Sequence, residues 1–165
     1  MEIFRGKRLW IEKRTIQSPH GAERVKVIVH PSNAVAIFPV DDDRCKLLRQ
    51  YRVAIDQFIY EVPAGTMEPG ETPAETARRE LIEETGFAAE TIAPKGFIYT
   101  TPGYTDEKIF LFEARNLSPS EEYSKDEDEI IEVVDIPTAH LMGMIRNGTI
   151  VDAKTICLIH HCLGC

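Results

Sequence analysis

The chain has 165 residues, of which 43% are hydrophobic and 28% charged, and its formal net charge is -8 at pH 7. This length and composition predict a globular domain with a sizeable core. The negative charge argues against non-specific binding to nucleic acid, which needs a basic surface. We find no apolar run of the roughly 18 residues that a membrane span requires and no apolar signal segment at the start, so we expect a cytoplasmic protein with no membrane partner.

Residues 1–32 predict an antiparallel hairpin that precedes the main sheet. Strand-forming residues before and after the turn Ser18-Pro19-His20-Gly21 end in a segment that places Val25, Val27 and Val29 on one face. We treat residues 33–165 as a single compact unit, because no linker or low-complexity tract divides them.

The next two strands carry candidate phosphate ligands. Residues 34–40 are almost continuously apolar, as in a strand buried on both faces. An acidic turn at residues 41–43 leads to a return strand with Arg49 and Arg52. Either guanidinium could bind a phosphate through two hydrogen bonds, or both could be ordinary surface charges. Residues 58–65 then predict a strand that enters a glycine-rich segment.

The strongest local signals predict a helix from about Pro73 to Thr85. Thr72 is a good N-cap, Pro73 suits the first helical position, and Glu75 completes a capping box. Gly86 can adopt the left-handed conformation that ends a helix. At 100° per residue, one apolar stripe faces the core, formed by Ala74, Ala77 and Leu81.

Glu80, Glu83 and Glu84 form a second stripe on this helix, with Cβ atoms about 5–6 Å apart. Their mutual repulsion and the helix macrodipole both disfavour carboxylates there. A hard divalent cation bound among the three carboxylates would make their clustering favourable. The alternative is that they form an ordinary solvated face of the helix. Arg79 lies beside the stripe, where it could orient Glu83 or pair with Glu71.

The rest of the chain predicts strands at 92–99, 108–114 and 130–134, a helix at 137–144, and a last helix capped by Asp152. Residues 118–129 are polar and acidic, which is typical of a mobile loop. Three of the four cysteines lie in the last nine residues, beside His160 and His161. Their spacing matches no trusted metal motif, so we expect reduced thiols on a C-terminal helix, with a metal clip as the alternative.

One pattern resembles a known family over 23 residues. Gly65, Glu71, Arg79-Glu80-Leu81, Glu83-Glu84 and Gly86-Phe87 fill every fixed position of a Nudix box, in register. The resemblance implies a loop–helix–loop that holds Mg²⁺ or Mn²⁺ and hydrolyses a nucleoside diphosphate linked to another moiety. It also implies an α/β fold of the α/β/α sandwich type, with a mixed sheet preceded here by an antiparallel N-terminal sheet.

Segments before the box resemble the ADP-ribose hydrolase subgroup. In the motif Glu-Val-Pro-Ala-Gly, the backbone carbonyl of Ala64 would be a metal ligand with Glu80, Glu83 and Glu84, and Glu61 would lie near the site. Gln-Tyr-Arg at residues 50–52 resembles that subgroup's substrate-binding segment, which favours Arg52 over Arg49.

Segments after the box extend the resemblance. Pro102 and Gly103 resemble the subgroup's substrate-binding turn, although Thr101 stands where serine is usual, and Glu107 matches an acidic position that lines the site. The resemblance also implies that a loop glutamate, Glu127 or Glu129, positions or deprotonates the attacking water.

Two box residues receive further roles from the resemblance. Glu83 would be a metal ligand or a nearby base, and Arg79 would orient the carboxylates. We therefore expect Mg²⁺- or Mn²⁺-dependent hydrolysis of ADP-ribose to AMP and ribose 5-phosphate.

The substrate and the contacts of the N-terminal sheet each have alternatives. The substrate could instead be NADH, FAD or a nucleotide sugar, and a non-catalytic nucleotide-binding regulator is a further alternative. The N-terminal sheet is expected to pack on or exchange with a partner subunit in a homodimer. There Trp10 would contact a purine, or pack in the core or the interface.

Overall fold

The computed structural model describes residues 1–121 and 130–164, and these residues form ten strands and three helices. No helix within these ranges is long and apolar enough to cross a membrane. The elements in chain order are β1 (Glu2–Arg5), β2 (Leu9–Gln17), β3 (Glu23–Pro31), β4 (Ala34–Asp41), β5 (Arg44–Arg52), β6 (Gln57–Glu61), β7 (Ala64–Thr66), α1 (Pro73–Thr85), β8 (Phe87–Tyr99), β9 (Lys108–Pro119), β10 (Ile131–Pro137), α2 (Thr138–Arg146) and α3 (Ala153–Leu163).

The N-terminal strands form a separate antiparallel sheet in the order β1-β2-β3. The predicted hairpin is confirmed, since β2 and β3 pair without interruption from Leu9 opposite Pro31 to Gln17 opposite Glu23. The added strand β1 was not predicted, because four residues are too few to show a periodicity. The division of the chain at residue 32 stays a prediction.

The second sheet is mixed and forms the centre of an α/β/α sandwich. Its main path is β10-β5-β4-β9-β8, with β6 paired to β5 and β7 paired to β4. β4 and β9 run parallel and the other pairs are antiparallel. β8 starts earlier than predicted, because Phe87–Thr91 pairs with the end of β9 at Arg115–Pro119.

β4 is buried on both faces, as its apolar sequence predicts. Val35 and Ile37 pack with Ala77 and Leu81 of α1 on one side of the sheet. Ala36 and Phe38, which alternate with them along β4, face a second core that contains side chains of α2 and α3. Because successive side chains of β4 point to opposite faces of the sheet, this one strand packs against helices on both sides.

Helix α1 begins and ends at the predicted residues. Thr72 and Glu75 form the reciprocal capping box, and Gly86, at φ 77°, closes the C-terminus by donating its N–H to the carbonyl of Ile82. The predicted core stripe was wrong at Ala74, which is exposed. Thr76 is buried instead, and it can be, because its hydroxyl donates to Glu71 Oε2 at 2.8 Å.

Candidate active site

Arg79 lies at the centre of the acidic residues of α1 and the loop before it. Its Nε donates to Glu71 Oε1 at 2.8 Å, and its Nη1 donates to Glu80 Oε1 and Glu83 Oε2, both at 2.8 Å. Its Nη2 also donates to the carbonyl of Thr66 at 3.3 Å. The two pairings that the sequence left as alternatives for Arg79, with Glu71 and with Glu83, are both present.

Glu71 is held in its ionised form by several donors at once. Hydrogen bonds from Arg79, from the backbone N–H of Glu68 and from the Thr76 hydroxyl lower the pKa of Glu71 to about 2. The hydrogen bond to Glu71 is the main cause that raises the pKa of Arg79, and its contacts with Glu80 and Glu83 add to it. Glu71 therefore anchors the guanidinium, so that the other end of Arg79 can face Glu80 and Glu83.

The backbone at Ala64 and Gly65 approaches two box carboxylates closely. Glu84 Oε2 accepts a hydrogen bond from the Ala64 N–H at 2.8 Å. A Cβ atom on Gly65 would lie 1.9 Å from the carboxylate carbon of Glu80, a distance that no side chain can occupy. Gly65 is thus required for the approach of β7 to α1, and Ala64, Glu80 and Glu84 are brought together.

These residues offer the donor set that a hard divalent cation prefers. Carboxylate and backbone carbonyl oxygens suit Mg²⁺ or Mn²⁺, and no soft sulfur ligand is present among Ala64, Glu80, Glu83 and Glu84. In the geometry that residues 1–121 and 130–164 adopt, no three acidic, histidine or cysteine side chains are arranged as a complete metal site. Glu71, Glu80 and Glu83 instead direct oxygens at Arg79.

Arg52, the predicted phosphate ligand, makes an ion pair with Glu61. Its Nε and Nη2 donate to the two carboxylate oxygens of Glu61, each at 2.6 Å. Lys154 of α3 also donates to Glu61 Oε2, and its Nζ lies 3.1 Å from Asp152 Oδ1. The hydrogen bond to Glu61 is the main cause that raises the pKa of Arg52, and the charge of Glu84 in the box adds to it.

The charge of Glu61 is fixed by these two cations. Burial alone would raise the pKa of this carboxyl, but the hydrogen bond from Arg52 and the charge of Lys154 outweigh burial and lower it. Glu61 is followed directly by Val62, whose N–H donates to the buried Thr155 hydroxyl oxygen at 2.9 Å. The first turn of α3 therefore holds the strand that leads into the Ala64–Gly65 backbone.

The predicted substrate-binding turn lies between β8 and β9. Pro102 and Gly103 are exposed in this turn, and Glu107 accepts a hydrogen bond from the Thr100 hydroxyl at 2.6 Å. The turn is attached to the N-terminal sheet, since the Val29 N–H donates to the Tyr104 carbonyl at 2.9 Å.

Glu127 and Glu129, the two candidates for the residue that activates water, lie outside the described residues.

Comparison with known proteins decides the family. A model of the NUDIX domain matches residues 30–158, which include the box and both strands that lead into it. The chain belongs to the Nudix family. The resemblance of the box is thereby confirmed, and the protein is a Nudix hydrolase.

Similar proteins act on nucleoside diphosphate derivatives. The Nudix hydrolase is 33% identical to the ADP-ribose pyrophosphatase of Bacillus subtilis (strain 168), over 97% of this chain and 88% of that protein. It is 35% identical to a GDP-mannose pyrophosphatase of Cronobacter sakazakii (strain ATCC BAA-894), over 78% of this chain and 71% of that protein. It superposes on the crystal structure of an ADP compounds hydrolase with a TM-score of 0.89 and 27% identity, covering 99% of this chain and 89% of that one.

Sequence reasoning missed Lys154 in this Nudix hydrolase. Lys154 and Glu61 are 93 residues apart, and the sequence around Lys154 shows only an ordinary helix start. The capping residue Asp152 was a usable signal, since it fixes the first turn of α3 and with it the direction of the neighbouring lysine.

Trp10 packs within the N-terminal sheet, against a histidine of strand β3. The Trp10 ring stacks on His30 with centroids 3.8 Å apart, and His30 Nδ1 is 2.6 Å from Asp106 Oδ2 beside the β8–β9 turn. The cysteines at 45, 157 and 162 are free thiols. Burial raises the pKa of Cys162 to about 11, so this thiol is protonated at neutral pH.

Proposed function

We propose that this Nudix hydrolase cleaves the pyrophosphate bond of ADP-ribose in the presence of Mg²⁺, with Mn²⁺ as a substitute, to give AMP and ribose 5-phosphate. The observation that carries the proposal is the convergence of Glu80 and Glu84 on the Ala64–Gly65 backbone. The similarity to an ADP-ribose pyrophosphatase and to an ADP compounds hydrolase supports the choice of an ADP-containing substrate.

The Ala64 carbonyl, Glu80, Glu83 and Glu84 are the proposed metal ligands. Nudix hydrolases in general depend on divalent metals. When bound, such ions neutralise the charge of the pyrophosphate, lower the pKa of a coordinated water and stabilise the leaving oxygen. Arg79 supports the set by holding Glu80 and Glu83 in position from one guanidinium. Glu83 is the ligand that could alternatively serve as a base.

The substrate is proposed to lie between Arg52 and the β8–β9 turn. Arg52 would bind a phosphate, and Glu61, Pro102, Gly103 and Glu107 would line the pocket. The oxygen of a water molecule bonds to one phosphorus atom while the bond from that atom to the bridging oxygen breaks. Glu127 or Glu129 positions that water molecule for attack and accepts its proton.

A panel of substrates tests this proposal. ADP-ribose, NADH, FAD, GDP-mannose and a second nucleotide sugar are each incubated with the protein and Mg²⁺, and phosphatase-coupled release of phosphate gives kcat/KM. We expect ADP-ribose to be the best substrate or within about tenfold of the best, about 1.4 kcal/mol in transition-state binding. If kcat/KM for ADP-ribose is lower than that by more, ADP-ribose is rejected as the substrate, and only the cleavage of a pyrophosphate bond remains.

A nucleotide sugar is the second candidate substrate, because a GDP-mannose pyrophosphatase is 35% identical over 78% of this chain, whereas the ADP-ribose pyrophosphatase is 33% identical over 97% of it. The same panel separates the two. It also tests the non-catalytic alternative, since a regulator without activity would turn over none of the compounds although all acidic positions of the box are filled.

We also propose that the protein is a homodimer joined through the N-terminal sheet. Apolar side chains remain exposed there, including Val25 at 62% and Val27 at 49% of their accessible area. Large apolar groups exposed together on one sheet commonly mark an interaction surface. The second copy of the chain would cover them.

A further inference from the structure

Glu61 is a buried carboxylate shared by two cations. Its side chain is 2% exposed, whereas Arg52 is 40% and Lys154 is 12% exposed. Arg52 uses two of its N–H groups on Glu61, and Lys154 contacts the Oε2 atom that Arg52 Nη2 also contacts. Glu61 is therefore in contact with two cations, one of which, Lys154, also contacts Asp152.

The two cations differ in how firmly they are held. Lys154 is bound to a second carboxylate, Asp152, and Asp152 is itself fixed as the N-cap of α3 by the Thr155 N–H. Arg52 is the last residue of β5 and much more exposed. If one cation exchanges Glu61 for another anion, the geometry favours Arg52.

Removing Arg52 from Glu61 is possible only if the carboxylate keeps a partner. An ionised side chain that is buried without one is strongly unfavourable. Lys154 is the partner that remains in contact, because its bond to Glu61 does not depend on Arg52. Without Lys154, the Arg52 guanidinium would be the only cation of the described part of the chain in contact with Glu61, and the ion pair would hold Arg52 in place.

We propose that Lys154 is a positioning residue that neutralises Glu61 and so releases the Arg52 guanidinium to bind a phosphate of the substrate. This inference rests on the proposed function, in which Arg52 is a phosphate ligand. Lys154 acts through Glu61 and contacts no substrate atom. The apparent affinity for substrate then scales with the fraction of molecules in which Arg52 is released.

A double-mutant cycle tests the proposal. Lys154→Met, whose side chain is similar in length but uncharged, should raise KM for ADP-ribose about tenfold and leave kcat within about threefold, because fewer molecules have a free Arg52. In a Glu61→Gln background, the same Lys154→Met change should alter KM by less than about threefold, since a neutral amide needs no counter-ion. Lys154→Arg, which keeps the positive charge, should keep KM close to the wild-type value.

Several results would overturn the proposal. An equal KM increase in both backgrounds would mean that Lys154 contacts substrate or acts only on the fold, and a loss of kcat alone would also reject it. Circular dichroism and thermal melting of each variant identify unfolding, and the Lys154→Arg variant then serves as the folded reference that must retain a low KM.

One more variant separates this inference from the proposed function. Arg52→Gln should raise KM. If it does not, Arg52 is not a phosphate ligand and both proposals fail at that residue. If Arg52→Gln raises KM and Lys154→Met does not, only the role of Lys154 is wrong. If the substrate panel selects another diphosphate, the same cycle is measured with that compound and its outcomes carry the same meaning.

Discussion

A methyl group at residue 65 would collide with the carboxylate of Glu80, since the Cβ would lie 1.9 Å from the carboxylate carbon. Gly65→Ala must therefore displace either Glu80 or the β7 backbone. We expect turnover to fall at least about tenfold, because a shift of about 1 Å in a catalytic group is costly. Steady-state kinetics at saturating Mg²⁺ measures this loss.

Gly143→Ala is the matched control for the same chemical change. Gly143 lies in α2, where nothing is within 4 Å of an added Cβ, and alanine is the better helix former by about 0.5–1 kcal/mol. Turnover should be unchanged and the melting temperature equal or slightly higher. If Gly65→Ala is as active as Gly143→Ala, the close approach of Glu80 to the loop has no role in catalysis.

Glu84→Gln tests the charge of a proposed ligand separately from its structural role. The amide oxygen of glutamine can still accept the hydrogen bond from the Ala64 N–H that Glu84 accepts at 2.8 Å, so the fold should survive. Loss of the negative charge should lower kcat about a hundredfold or more. Glu132→Gln, an exposed residue of β10, should leave kcat unchanged. Near-normal kcat in Glu84→Gln, with an unchanged melting temperature, would remove Glu84 from the ligand set.

At the scale of the elements, local signals predicted α1 to the residue, because its caps lie within four residues of the groups they bind. Thr72 and Glu75 are an example. The same reasoning failed for Ala74, since burial depends on where the helix meets the sheet and on the hydrogen bond that lets Thr76 be buried.

The candidate site shows the same limit. The box placed Arg79 and its carboxylates on one helix surface from spacing alone, and the structure shows the contacts. The pairing of Glu61 with Arg52 and Lys154 joins β5, β6 and α3. No local pattern encodes a contact across 93 residues, so only the folded chain reveals that Lys154 shares Glu61 with Arg52.

The N-terminal sheet is the element on which the proposed dimer depends. We expect the wild type to elute as a dimer in size-exclusion chromatography with light scattering. Val25→Glu combined with Val27→Glu should shift it to the monomer, because two buried carboxylates without partners would oppose association. Val151→Glu alters a valine that is similarly exposed outside this sheet and should remain dimeric. A wild-type monomer, or a dimer that survives the double change, would reject this interface.

For the whole molecule, a net charge of -8 makes the distribution of carboxylates important for stability in acid. Glu61, Glu71 and Glu113 all have lowered pKa values, each because cationic side chains donate hydrogen bonds to them. For Glu113, burial opposes ionisation, but hydrogen bonds from Lys95 and Arg115 outweigh it. Each group is therefore deprotonated in the folded chain at pH values where the unfolded chain begins to bind a proton.

The sign of the pH dependence follows from this difference. A carboxyl whose folded pKa lies below the ordinary value of 4.5 stabilises the fold fully above pH 4.5, and that stability is lost as the pH falls through the folded pKa. The free energy of unfolding should thus decrease from pH 5 to pH 3, by at most about 1.4 kcal/mol per pH unit for each proton involved.

Glu113→Gln isolates the contribution of one carboxylate to this acid sensitivity. At pH 7 the variant should be less stable by about 1–3 kcal/mol, because Lys95 and Arg115 lose a buried charged partner. Between pH 5 and pH 3 the gap from the wild type should narrow, since only the wild type protonates this group. Urea denaturation at each pH measures both effects. Glu90→Gln, which exchanges a carboxylate bonded to the neutral Asn116 side chain, is the control, and its free energy of unfolding should change with pH in parallel to the wild type. If the free energy of Glu113→Gln also changes in parallel, the ion pairs of Glu113 contribute nothing to acid sensitivity.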